Sequence, residues 1–79
     1  MNYFVYILQC GDGKPCIGCT ENLKERLDRH RQGNVPATVN RLPIELIVYI
    51  VFADKYKAFE FEKYLKSDSG RAFIKRHFV

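Results

Sequence analysis

A chain of seventy-nine residues, 47% hydrophobic and 14% aromatic, has room for one domain over 1–79 with a real core, and this excludes a disordered segment. The longest apolar run, residues 46–53, is too short for a membrane span, and no signal peptide is recognisable. Cys10, Cys16 and Cys19 without a secretion signal read as reduced thiols in a cytoplasmic protein. The net charge of +4 is unevenly spread, with five positive and three negative residues in 20–43, seven and four in 54–79, and one of each in 1–19. Such a surplus suits a phosphate-facing surface, though an ordinary solubilising surface would look the same.

Residues 2–9 (Asn2 to Gln9) are β-branched and aromatic and predict a strand. Gly11-Asp12-Gly13-Lys14-Pro15 is turn chemistry, and Cys16-Ile17-Gly18-Cys19 follows as the return strand of a hairpin. Thr20 is the expected N-cap of a helix that runs to about Gln32, with Glu21 in its first turn and Gly33 as its C′ residue. Residues 34–43, with two prolines, form a loop, and 45–52 a third strand. Asp54 caps a second helix over 55–66; residues 67–70 break it, and Ser69 caps a last helix over 71–77. The order β-β-α-β-α-α implies an α+β fold, three strands with helices covering the sheet.

Several polar residues fall where these helices should be apolar. At roughly 100° per residue, Leu23 and Leu27 form a narrow stripe with Arg26 and His30 on its edge. Either could be a plain packing or snorkelling side chain. On the second helix Glu62 lies inside the arc of Ala58, Phe59, Phe61 and Leu65, whereas Glu60 projects away. A half-buried carboxylate needs a partner, and Arg26 or a divalent metal could serve. Strand alternation puts Phe4 and Tyr6 on one face and Tyr3, Val5 and Ile7 on the other. Tyr6 is either core or a hydroxyl aimed at the place that Glu62 and Arg26 surround.

Phe4-Val5-Tyr6, Cys16-Ile17-Gly18, Leu23 through His30, Arg41-Leu42-Pro43 and Ala58 through Lys66 resemble, in order, the GIY-YIG nuclease domain, in its short stand-alone bacterial form. The resemblance implies a three-stranded antiparallel sheet flanked by helices and a metal-dependent endonuclease acting on DNA, branched or damaged DNA included. It also implies roles: Tyr6 beside the attacking water, Arg26 on the phosphate, His30 in proton transfer or phosphate contact, and Glu62 as the ligand of one divalent cation, usually Mg²⁺. Such a cation and a guanidinium together oppose the negative charge that grows on the phosphoryl oxygens. Cys16 stands where the second motif has a tyrosine, and a thiol positions water poorly; Lys14 and Tyr6 are the candidate substitutes. No asparagine follows Asn40, where longer members carry a late one.

Lys63, Lys66, Arg71 and, from the loop, Arg41 are the candidate nucleic-acid contacts, joined by Lys55, Lys75 and Arg76 on the helical parts. Two further readings stand beside the enzyme. One is a catalytically weakened or inactive nucleic-acid-binding module on the same fold, marked by Cys16; the other is a protein-interaction module. A Cys₃His zinc set of Cys10, Cys16, Cys19 and His30 competes for the cysteines, but an extended 16–19 would turn Cys16 and Cys19 to opposite faces. So small a surface leaves substrate choice to a homodimer or a protein partner.

Overall fold

The computed structural model describes residues 2–78. Its elements are β1 (Tyr3–Gln9), β2 (Pro15–Thr20), α1 (Leu23–Arg31), β3 (Glu45–Phe52), α2 (Lys55–Leu65) and α3 (Asp68–His77). The three strands form one antiparallel sheet in the order β2-β1-β3. The α+β class and the element order expected from the sequence both hold.

Alternation along β1 decides what each face does. Val5 and Ile7 point to one side and join Ala58 and Leu65 of α2 and Ile74 of α3 in the larger core. Tyr6 and Leu8 point to the other side, under Leu27 of α1. Helices cover both faces, so β1 is buried on both.

Two helix starts differ from expectation. Thr20 remains in β2, paired with Phe4, and its hydroxyl instead accepts from the Asn22 N–H at 3.1 Å. Asn22 is the cap of α1, its side chain accepting from the Glu25 N–H at 3.1 Å. Likewise α3 starts at Asp68, capped by Ser67, whose hydroxyl accepts from the Gly70 N–H at 3.2 Å. Ser67 wins over Ser69 because Asp68 then sits in the first turn, where the dipole favours it, and Gly70 can pass close to α2. Gly33 follows α1 with φ of 78°, as a C′ glycine should, and Gly13 supplies the hairpin turn with φ of 81°. Phe59 is also displaced from its expected place: it is exposed on α2, its ring edge to face with Tyr3.

Candidate active site

Tyr6 lies directly across from Gly18, and its ring covers the position where any side chain at 18 would stand. The strand-to-strand register thus demands a glycine there. Helix α1 brings Arg26 and His30 to the same place, one turn apart on one helix face. Arg26 Nε donates to the Tyr6 hydroxyl at 3.3 Å, and His30 Nε2 lies 3.1 Å from that oxygen. The His30 and Tyr6 rings meet edge to face at 5.8 Å.

Thr38 completes the cluster, and nothing in the sequence singled it out. Its Oγ1 lies 2.7 Å from His30 Nδ1. The loop segment reaches inward because Thr38 and Val39 both donate backbone N–H groups to the Val35 carbonyl, a turn that buries Val35 and Thr38 together. A buried Val-x-x-Thr in an otherwise polar loop was the only available sign.

Burial pushes the Tyr6 phenol upward, against the pull of the Arg26 guanidinium, with Cys16 and Glu62 adding to the rise. Burial also lowers His30, helped by the positive charges of Arg26 and Arg29. His30 is therefore neutral in the folded chain. A histidine held below its ordinary value of about 6.5 takes up its proton more readily in the unfolded chain. Its contribution to stability is full above that value and is lost as pH falls through it. Acid titration followed by circular dichroism should show a softer decline below neutrality in His30→Gln than in the parent.

Glu62 is half-buried on α2, as expected of a carboxylate inside the apolar arc. Its ion-pair partner is not Arg26 but Lys66, one turn on, with Nζ 3.2 Å from Oε2. The other carboxylate oxygen of Glu62 has no protein partner among the described residues. One open hard oxygen, close enough for its charge to reach Tyr6 and Cys19, fits Mg²⁺, which keeps most of its waters and needs few carboxylates.

Cys16 pairs with Leu8 and shares the Tyr6 face, whereas Cys19 packs on the opposite face with Val5 and Ile7. The Cys₃His set is therefore split by the sheet, and both ring nitrogens of His30 are already engaged. Burial also pushes the Cys10 and Cys19 thiols upward, the reverse of what a thiolate ligand needs.

Beside Cys16 runs a groove of about 1090 Å³, open to solvent and lined by Lys14, Arg41, Lys66, Arg71 and Lys75. Of the candidate phosphate contacts, Lys66, Arg71, Arg41 and Lys75 line it, while Lys63, Lys55 and Arg76 do not. Arg41 is tied to Asp12, Nε to Oδ2 at 2.8 Å, and Lys66 to Glu62. Among the described residues Lys14, Arg71 and Lys75 form no salt bridge. Asn40 is exposed on the loop and takes no part in the Tyr6 cluster.

A family model for the GIY-YIG catalytic domain matches residues 2–76. A UPF0213 protein of Lacticaseibacillus paracasei is 37% identical over 81 residues, spanning 98% of this chain and 91% of its own. One from Streptococcus agalactiae serotype V is 33% identical over 78 residues, spanning 94% and 89%. The solution NMR structure of the UPF0213 protein BH0048 from Bacillus halodurans superposes with a TM-score of 0.62 at 30% identity, covering 96% of this chain and 84% of that one. No helix of the described residues is long and apolar enough to cross a membrane. From the first strand to the last helix, and in relatives little longer than the domain itself, the match shows that this chain belongs to the nuclease-type GIY-YIG family.

Proposed function

We propose that the chain is a metal-dependent, endonuclease-type domain that hydrolyses phosphodiester bonds in DNA. The observation that supports this most is the Arg26–Tyr6–His30 cluster, and a separate groove carries unpaired lysine and arginine charge. Lys14, Arg71 and Lys75 hold the DNA backbone through charge, so binding should weaken steeply with salt. Arg26 spends only Nε on Tyr6, and both Nη groups remain for a phosphate whose charge grows during attack. Tyr6, fixed by two partners, orients the water or the phosphate. Glu62 would hold Mg²⁺, which when bound supplies Lewis-acid polarisation of a phosphoryl oxygen. The reduced state of Cys10, Cys16 and Cys19 fits a cytoplasmic setting.

A second reading, a DNA-binding module with weakened chemistry, is favoured by Cys16. Its thiol sits half-buried over Leu8, where a tyrosine hydroxyl would reach farther into the site. One assay addresses both readings: nicking of supercoiled plasmid with Mg²⁺ or Mn²⁺. The enzyme reading expects nicking that Glu62→Ala lowers by about 100-fold or more. Equal rates in parent and Glu62→Ala would remove Glu62 from the chemistry. Salt-sensitive binding without nicking, with nicking gained in Cys16→Tyr, would instead establish the second reading.

A further inference from the structure

We propose that β3 is the seam of a two-fold homodimer, in which the free edges of two copies pair antiparallel about Ile50 and join their sheets into one. The strand order β2-β1-β3 leaves the outer side of β3 without a neighbour, and among the described residues its backbone bonds only to β1. Edge strands that stay single are ordinarily blunted by lysine, proline or an inward-pointing charge. Between Leu46 and Phe52, β3 has none of these. Its one charge, Glu45, stands at the end, and its bulge lies between the partners of Ile7 and Leu8, so Val48–Phe52 is regular strand. On the Tyr6 face, Tyr49 and Val51 are half exposed (48% and 49%), and the Tyr49 ring leans on Phe4 at 5.9 Å. The other edge, β2, begins with Pro15 and lines the basic groove, where two copies would bring like charges together.

Symmetry and charge together fix the register. A two-fold axis normal to the sheet sets one residue opposite itself. Ile50 is the centre of the regular segment Val48–Phe52, so pairing about Ile50 uses all of it. Val48 then lies opposite Phe52 on the α2 side, and Tyr49 opposite Val51 on the Tyr6 side, an aromatic against a β-branched residue at both ends. The same count brings Glu45 level with Lys55 of the second copy, again twice. Neither forms a salt bridge within its own chain among the described residues. This match of opposite charges, in a chain whose net charge is +4, fits the edge to a second copy of itself. So short a seam falls well below the ~800 Å² per partner of a standard interface, and the dimer is a weak one, with Kd on the order of 10–100 µM. The joined sheet carries both Tyr6 clusters on one face, with the two β1 strands three spacings apart, about 14 Å. Two sites on one face suit the two strands of a duplex. That consequence rests on the nuclease reading above; the pairing does not.

Sedimentation equilibrium of the intact chain, from about 5 to about 500 µM to bracket that Kd, should show monomer passing to dimer. Val51→Lys, at an exposed position, should leave the chain monomeric over the same range. Glu45→Lys should raise Kd by about tenfold, and Glu45→Lys combined with Lys55→Glu should restore it. In a mixture of ¹³C-labelled and unlabelled chains, isotope-filtered NMR should join Tyr49 of one copy to Val51 of the other. A monomer at every concentration overturns the proposal, as does a dimer that ignores Val51→Lys. Contacts between copies that fall outside β3, or a charge exchange that restores nothing, overturn it equally. A Val51→Lys chain that does not fold leaves the filtered contacts and the charge exchange to decide. If the dimer forms as described and no form cuts DNA, the nuclease reading fails while the seam stands.

Discussion

Gly70→Ala should unfold or nearly unfold the chain. A Cβ at 70 would collide with the Tyr64 carbonyl and the Leu65 Cα, atoms of the backbone at the end of α2 that cannot rotate aside. Helix α3 crosses that end at backbone contact, and Ile74, one turn on, is seated against Leu65 by the same approach. Overpacking of this kind costs about 1–3 kcal/mol and occasionally more. The rigid obstacle puts Gly70→Ala at the upper end. A chain of this length holds roughly 4–12 kcal/mol in total, so the loss is a large share of it. Thermal unfolding by circular dichroism should show a Tm lower by roughly 12–24 °C, at about 4–8 °C per kcal/mol for this size. An unchanged Tm would mean that α3 can slide off α2 without penalty.

The second large effect falls on the cluster itself. Gly18→Ala puts a methyl where the Tyr6 ring and hydroxyl lie. Tyr6 cannot yield by rotation, because Arg26 and His30 hold its oxygen and Leu27 packs over its ring. Either the strands separate by a fraction of an ångström or the hydroxyl leaves both partners. We expect destabilisation of about 1–3 kcal/mol and a fall in plasmid nicking of about 100-fold, the size that a 1 Å misplacement produces. Tyr6→Phe in the Gly18→Ala background removes the atom with the severest overlap. It should recover part of the lost stability while leaving activity at the floor. Additive losses in the double variant would show that the two positions do not press on one another.

The sheet was readable from sequence because its signal is local. Residues 3–9 and 45–52 alternate or run apolar, and Asp12-Gly13 can only turn. Asp54 as cap of α2 and Gly33 after α1 were equally plain. The cap of α1 was missed because Thr20 is a good cap by residue type; pairing with Phe4 keeps it in the strand, and that partner is 16 positions away. For the site, Arg26 and His30 could be placed together by helix geometry, and Tyr6 by strand parity. Two relationships were out of reach. Thr38 meets His30 only because an irregular loop folds back, with no period to betray it. Glu62 and Lys66 stand at ordinary pairing distance along a helix, and that spacing alone does not tell this pair from a longer-range partner for Glu62.

The burial of β1 on both faces has a consequence for when the parts of the site come undone. Tyr6 is carried by the strand that shares ladders with both neighbours and lies beneath two separate cores. Its amides open only when the whole chain does. Cys16, Lys14 and the loop with Arg41 belong to an edge strand and to surface turns, which open at lower cost. The groove can therefore fray and reclose around an incoming strand while Tyr6 keeps its place in the core.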